Sequence, residues 1–584
     1  MGVQNVYFIF LIVAFIGITS ITITEPVDGE TYDGDWLPLQ AIVENDNELP
    51  DSVHYSLNGE SVVLISRLNT DWPTYMQNYL NHGYSESPAP LDNTVLWTAA
   101  VCGTSHEFCS PIVVDGVVYF VSDELSAVFA INATTGETIW SYDVIDNVDD
   151  AATFYEDKIY VSADSAWCLD ALTGTKIWSF YGMDGSYMSG TPVVENGTAY
   201  FVSTVLLDSL KVHALDAETG ESLWDLRIPS FFESCLALED NILYMASWTP
   251  YAPPDQKESL FAVNAETGTV IWSNEYTEEG YWDSSPTIHD DYLYIGGMDG
   301  FIHAFNKFDG SLEWEMKVHQ YSHIVGGVEP TAAFSEDKIF TGFTPYSGAY
   351  GAVVAYDVNT GEEIWSILDR IKLHGSIGLA DDLAFLGEHR GDSIFAIEQD
   401  TGNIAWTYDV NSTTGKGFQS SPSITDGIMY IASTNGNLYA FGTGLKYTFQ
   451  DNFFYAEVGA NELIVTSFDG GAVVAADTVN FTVTQTGINL DPSRQFNLYA
   501  TPNPFQTSAS ISFELAESGF TSIEIFDLTG RSVSTLANHE FTAGTQSVLW
   551  NGTSENGEPV SAGLYLCRIQ FGATVETIGL CLLK

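Results

Sequence analysis

One eleven-residue phrase recurs down most of the chain and limits its fold more than any other feature. Its clearest copies run from Ala130 to Trp140, Ala214 to Trp224, Ala262 to Trp272 and Ala355 to Trp365, each reading Ala-x-Asp/Asn-x-x-Thr-Gly-x-x-x-Trp. Weaker copies end at Trp178, Trp314 and Trp406, and Trp97 closes a strand that precedes the first full copy. The eight tryptophans are spaced 38 to 51 residues apart. A period of that length is the mark of a stacked repeat, and it suits one four-stranded propeller blade per unit.

The inside of each unit supports that reading. Ser110-Pro111 opens the apolar run Ile112-Val113-Val114, and Asp115-Gly116 turns it into Val117-Val118-Tyr119-Phe120-Val121. Asp-Gly between two β-branched runs is a strong hairpin signal. A third strand ends in Ala-x-Asn/Asp, and Thr-Gly turns the chain into a fourth strand that closes on Trp. The turn glycines are Gly136, Gly174, Gly220, Gly268, Gly310, Gly361 and Gly402. They supply positive φ, while the Asp or Asn side chain bonds turn amides. Other units open at Thr191-Pro192, Ser285-Pro286, Glu329-Pro330 and Ser421-Pro422. The last unit, from Ser421 to Gly442, lacks its Trp strand, and Val95-Leu96-Trp97 has no unit before it. Joining the two ends completes a blade and leaves no open edge between first and last units. The expected fold is therefore all-β, an eight-bladed β-propeller.

The repeat resembles that of the pyrroloquinoline-quinone-type propellers. So does the lead-in Asp71-Trp72-Pro73-Thr74-Tyr75 with Gly83-Tyr84-Ser85 and Pro88-Ala89-Pro90. The resemblance covers 71–444 and implies a family that holds quinoprotein alcohol dehydrogenases as well as non-catalytic propellers, among them an outer-membrane-assembly lipoprotein. It is specific for the fold and leaves the function open, because one fold hosts many functions.

Two flanking regions frame the propeller. Residues 21–70 and 445–486 each read as a few strands, too few for a sandwich alone, with Asn58-Gly59 as a hairpin turn. The expectation is one Ig-like domain split by insertion of the propeller. After a polar linker at 487–495 comes 496–584. Its Asn503-Pro504-Phe505, Gly530-Arg531, Trp550-Asn551-Gly552 and Ser561-Ala562-Gly563-Leu564-Tyr565 resemble the C-terminal sorting domain of type IX secretion, related to the flagellar hook-capping Ig-like domain. That resemblance implies the secretion machinery as a partner and export to the outer surface of a Gram-negative-type cell. The residues alone imply a small terminal β-sandwich.

Charge and targeting narrow the setting. Lys and Arg number 18 against 78 Asp and Glu, a formal net charge of −60. Such a field repels nucleic acid and anionic membrane surfaces. Residues 1–20 read as a secretory signal whose apolar run is Val6 to Ile18, although Met1 to Asn5 carries no Lys or Arg. No membrane span is expected after its removal. The first cysteine is Cys102, so no lipid-acceptor cysteine stands near the start, a departure from the assembly lipoprotein. Cys102 and Cys109 are near enough for a loop disulfide. Cys567 and Cys581 fall on the arms of a hairpin, and Cys168 takes the place of a small core residue.

Candidate chemistry lies in the loops that lead from each Trp strand to the next unit, at one mouth of the channel. His106, Glu107, Tyr187, Trp282, Asp283, His323 and His374 are the candidate ligand-site residues, with Asp150, Tyr281, Phe418 and Gln419 in equivalent loops. Aromatics beside a few polar groups suit a ligand site. The blander reading, packing between blades and solvated loops, is preferred. Quinone-dependent members of the family, as the resemblance implies, use a vicinal Cys-Cys disulfide, and this sequence has no adjacent cysteines. Asp143, Asp146, Asp149 and Asp150 are acceptable calcium ligands in type but not in spacing. His319 and His323, four apart in a loop, share no face that would fix a metal. No catalytic residue, metal site or cofactor is expected, with calcium or pyrroloquinoline quinone held as the exception. The expected function is a secreted or cell-surface binding or scaffolding protein with an unknown protein or carbohydrate ligand. The alternatives are a quinone- or metal-dependent oxidoreductase and a periplasmic outer-membrane assembly factor.

Overall fold

The computed structural model describes residues 18–25, 31–33, 36–45, 52–57, 60–67 and 70–582, apart from 104–108, 145–149, 183–185, 206–208, 229–233, 248–257, 276–280, 282–283, 319–325, 336, 346–350, 359, 369–370, 390, 411–416, 444, 456–458, 470–471, 485–498, 502–507, 516–517, 527–531, 555–559, 561–562 and 572–573. Residues 1–17 of the expected signal at 1–20 and the linker at 487–495 lie outside the described residues, while Ile18 to Ser20 begin the strand Ile18–Glu25. Among those described, no helix is long and apolar enough to cross a membrane.

The chain divides into two compact units. One comprises 1–30 and 35–482, the other 31–34 and 483–584. Among the described residues between Tyr84 and Phe441 the first unit holds eight sheets of four or five strands, antiparallel except where Tyr84–Ser85 joins Gly378–Ala380 in parallel, the arrangement of a β-propeller. The first sheet shows the rule. Ile112–Val114, Val117–Ser122, Ala127–Asn132 and Thr138–Asp143 follow one another as neighbours from inside to outside. Asp115 and Gly116 take φ of 48° and 73°, the doubly left-handed turn that Asp-Gly permits. The last sheet is built from both ends of the array. Ser423–Thr425, Ile428–Ser433 and Asn437–Phe441 are completed by Val95–Ala99, with Trp97 opposite Ala440.

The repeated Trp ties each sheet to the next. Trp140 Nε1 donates to Ala171 O at 2.8 Å, Trp178 to Ala217 O at 2.9 Å and Trp224 to Ala265 O at 2.9 Å. A tyrosine two strands further in donates to the same carbonyl: Tyr119 Oη to Ala171 O and Tyr160 Oη to Ala217 O. Trp97 and Tyr430 share Ala133 O in the same way, so the last sheet is latched to the first. The Thr-Gly turn fits beneath this latch. Gly220 has φ of 71°, and a Cβ there would lie 2.7 Å from the Trp178 ring. Positive φ is thus half of the reason for glycine, and the ring of the preceding sheet is the other half. Gly361 is the exception, its nearest neighbour being Met316 Cε at 3.8 Å. Trp406 has no such turn to meet in the last sheet and donates to Pro90 O of the lead-in.

Strands from both sides of the propeller share a further sheet. Trp36–Asn45 lies between Ile18–Glu25 and Leu445–Tyr455. Ser52–Leu57 lies between Glu60–Arg67 and Gly459–Asp469.

In the second unit, Tyr499–Thr501, Ala509–Leu515 and Gly544–Trp550 form one sheet, and Ser532–Phe541, Gly519–Phe526, Gly563–Phe571 and Thr574–Leu582 form another. They enclose a core around Ile511, Phe513, Ile523, Ile569 and Trp550, with Trp550 edge-on to Tyr565 at 5.0 Å. Cys567 pairs in register with Ile578 and Cys581 with Leu564, so the hairpin keeps the two cysteines out of register and Cys567 is a free thiol. Cys168 is a buried free thiol whose pKa burial pushes up to about 12. Cys102 and Cys109 are both buried.

Candidate functional site

The first strands of neighbouring sheets lie against one another, Ser423–Thr425 against Ile112–Val114 for example, and so form the inner wall of the ring. At the head of these strands Ser and Thr residues two places before the first strand form a belt. Cys235 N donates to Ser285 Oγ at 2.8 Å, Ser285 N to Thr331 Oγ1 at 3.0 Å and Thr331 N to Ser376 Oγ at 2.8 Å. Ser376 N then donates to Ser421 Oγ at 2.8 Å, and Ser421 N to Ser110 Oγ at 2.9 Å. The last bond spans 311 residues and joins the end of the array to its beginning. Short side chains are needed here because each hydroxyl must reach the amide of the adjacent sheet without leaving the wall. In the second sheet a carboxylate serves instead. Asp150 Oδ2 accepts from Gly190 N at 3.0 Å and Oδ1 from Cys235 Sγ at 3.7 Å. Burial and the Asp150 charge push the Cys235 thiol far above its ordinary pKa, which makes it an unreactive packing residue.

The opposite end of the ring is crossed by the lead-in, Thr70 to Pro90. Trp72 exchanges two backbone bonds with Val113 of the first sheet, at 2.7 and 2.8 Å. Pro73 O accepts from Phe154 N of the second sheet, and Tyr79 Oη donates to Val194 O of the third. Carbonyls of Tyr79, Leu80, His82 and Gly83 then accept from Leu238, Ile288, Phe334 and Leu379, the inner-strand amides of the fourth to seventh sheets. Thr70 and Ser87 bond Asp426 and Gly427 of the eighth. One strap of about twenty residues therefore touches the inner strand or its turn in every sheet. Asn81 is buried at its middle, with Nδ2 donating to Leu236 O at 3.3 Å and Pro286 O at 2.9 Å. Tyr75 rises from the strap to the belt, its hydroxyl bonding Thr331 Oγ1 and Ser376 Oγ at 3.1 and 2.8 Å. Met76, Gln77 and Asn81 hold φ of 50°, 74° and 61°. Left-handed backbone at non-glycine residues persists only where surrounding bonds over-determine it.

The belt and the loops from strand four to strand one share the other end. Of the candidate residues there, His106, Glu107, Trp282, Asp283 and His323 lie outside the described residues. Tyr187 opens the first strand of the third sheet, opposite Thr204. His374 precedes the seventh and stands 5.2 Å from the His389 ring. The two belong to sheets four places apart and do not meet. Tyr281 and Phe418 are core residues, 1% and 0% exposed. For these two the packing reading holds. Asp150 is engaged in the belt as described. His319, His323, Asp146 and Asp149 lie outside the described residues, and no group of three or more metal-type ligands gathers among those described.

Two ionisable groups that were not singled out in the sequence stand at this mouth. Glu329 is buried, and burial raises its carboxyl pKa to about 7 despite the opposing Lys372 charge and a hydrogen bond from Thr344. Lys372, also buried, is the one lysine or arginine in the described parts of these loops. The signal for Glu329 was present: it stands before Pro330 where other units have Ser or Thr. A carboxyl near neutrality at a channel mouth can bind as a donor or an acceptor, and perturbed groups of this kind gather at functional sites.

The family model described as outer membrane protein assembly factor BamB matches this chain four times, over residues 88–233, 162–407, 300–488 and 349–575. Tetrathionate hydrolase of Acidithiobacillus ferrooxidans is 24% identical over 383 residues, covering 62% of this chain and 68% of that protein. Outer membrane protein assembly factor BamB of Moranella endobia is 25% identical over 299 residues, 45% of this chain and 68% of that protein. Quinohemoprotein alcohol dehydrogenase of Comamonas testosteroni is 30% identical over 195 residues, but these are 29% of this chain and 27% of that protein. Among solved structures, a europium-containing methanol dehydrogenase superposes with a TM-score of 0.54 at 15% identity, over 64% of this chain and 98% of the other. The Comamonas testosteroni enzyme superposes with a TM-score of 0.53 at 18% identity, over 67% and 82%. At these identities the structural likeness is one of fold.

Proposed function

Because the chain belongs to the pyrroloquinoline-quinone-type repeat family described as outer membrane protein assembly factor BamB, we propose that it is an eight-bladed propeller of the Gram-negative envelope acting as a binding or scaffolding protein without catalysis. The observation that carries this reading is the centre of the ring. The strap bonds to all eight sheets from one end, and at the other end belt hydroxyls accept from amides of adjacent sheets. Polar groups spent on one another make a rigid hub, on which a binding surface can be mounted. On this reading 21–70 and 445–486 are two parts of one Ig-like domain, and 496–584 is a type IX sorting domain that delivers the chain to the cell surface. The shared sheet of Trp36–Asn45 with Leu445–Tyr455 supports the first, and the terminal two-sheet unit is compatible with the second.

A second reading, a quinone- or metal-dependent oxidoreductase, is favoured by Glu329 and by the relatives named as quinone alcohol dehydrogenases. The donor set fits it poorly. A cofactor bearing three carboxylates needs several bases, whereas Lys372 stands here near Glu329 in a chain of net charge −60. No step is derived through such a group.

Fractionation of the native cell with mass spectrometry of both termini tests the export reading. A surface or culture form that begins near Ile21 and ends before Phe496 is expected. An intact Lys584 terminus in the periplasm overturns export and favours a periplasmic assembly factor. Titration of the purified chain with calcium and pyrroloquinoline quinone is expected to leave the quinone spectrum unchanged and to give no dye-linked alcohol oxidation. A bound-quinone spectrum would transfer the proposal to the oxidoreductase.

A further inference from the structure

The terminal sandwich carries a groove that the propeller readings do not use. It lies at the end of two neighbouring strands of the four-stranded sheet, encloses about 460 Å³, and is lined by Phe520, Ser522 and Gln570 from the outer face and by Phe571 from the core side. Phe520 and Ser522 are two apart on one strand, and Gln570 stands directly opposite Ser522 on the next. Strand periodicity therefore puts an aromatic ring, a hydroxyl and an amide side by side on one face. Phe520 is 59% exposed. Its ring offers open aromatic surface beside the hydroxyl and the amide.

The lining is also preformed. Phe571 packs partly on the sandwich core. A Cβ on Gly519 would lie 2.7 Å from its ring, so the ring lies where only a glycine admits it. The four lining residues are uncharged, in a chain whose formal charge is −60. On the other side, Asn538 and Glu540 pair opposite Ser522 and Phe520 and add an amide and a carboxylate acceptor at the rim. The nearest basic group along the face, Arg568, is held 4.4 Å over the Phe526 ring. A neutral lining with no free base disfavours anions. Aromatic surface with alternating amide, hydroxyl and carboxylate suits a ligand whose one face is C–H and whose edge is hydroxyl.

We propose that this groove binds a neutral saccharide, one or two hexose units of a polymer, with the sugar face on Phe520 and its hydroxyls on Ser522, Gln570 and the rim. The site is independent of the function proposed for the propeller, and in-vitro binding does not involve export. The test is affinity electrophoresis and calorimetry of the full chain with laminarin and dextran as neutral probes and polygalacturonate as an anionic one. Binding of a neutral glucan but not of polygalacturonate is expected. Phe520→Ala, at an exposed position that leaves the core intact, should weaken it about tenfold, the scale of one aromatic contact. Gln570→Ala should weaken it as well. Leu549→Ala, removing a residue 63% exposed on the other sheet, should leave it unchanged. Absence of binding to both neutral glucans, or equal loss in Leu549→Ala and Phe520→Ala, overturns the proposal, the latter as general hydrophobic adhesion.

Discussion

Replacing Glu329 by Gln should stabilise the protein above neutral pH and leave it unaltered in acid. The buried carboxyl has its pKa raised from 4.5 to about 7. An acid with a raised folded-state pKa binds more protons folded than unfolded between those two values. Stability therefore falls as pH rises from 4.5 to about 7, and the full penalty is present above that window. A shift of this size corresponds to about 3 kcal/mol, and the side chain is too buried for solvent screening to remove much of it. Glutamine keeps the shape and never ionises, so Glu329→Gln should recover most of that energy at pH 8 and nothing at pH 4.5. For a cooperative unit of roughly 370 residues this is about 4 °C in Tm. The assay is thermal unfolding of both proteins across pH 4 to 9, read as the difference between them, since 78 acidic residues titrate in each. A difference that does not change with pH would refute the assignment of a strained carboxylate to Glu329.

Further outcomes follow from the latches and the strap. Gly220→Ala should cost about 2–4 kcal/mol, because left-handed strain is joined by overlap with the Trp178 ring. Gly197→Ala, at φ of 76° with nothing within 4 Å, should cost only the strain, about 1–2 kcal/mol, and Tm comparison of the two isolates the Trp contact. Asn81→Ala should lower stability by about 3 kcal/mol through two lost buried bonds and a left-handed alanine, and should expose the strap to limited proteolysis. Asn81→Gly removes the bonds but not the backbone freedom, so a protein as stable as the parent would show that those bonds contribute nothing.

Most of the sheet region was legible in the sequence because its determinants are local. Asp115-Gly116 specifies a hairpin by the φ values it tolerates, and Asn132 or Asp216 shapes its turn through amides two and three residues on. Even closure of the ring could be read, since a Trp strand lacked its sheet at one end and a sheet lacked its Trp strand at the other. The candidate site was less legible. Tyr281 and Phe418 lie in the expected loops, yet their rings belong to cores between sheets. That assignment depends on which neighbouring sheet is close enough to cover them. Lys372 carries no motif, and although Glu329 is marked by its place before Pro330, its perturbation comes from burial, which a sequence position does not disclose.

The order of strands, the repeat and the turn chemistry were fixed by the sequence itself, through contacts a few residues long. The strap, the belt and the second reason for every turn glycine but Gly361 were decided by tertiary structure alone. The strap acts chiefly through backbone carbonyls, which every residue possesses and no pattern marks. The belt joins hydroxyls to amides 45 to 311 residues away. Such bonds exist only once neighbouring sheets have packed, and the longest of them only once the ring has closed and brought the first sheet against the last.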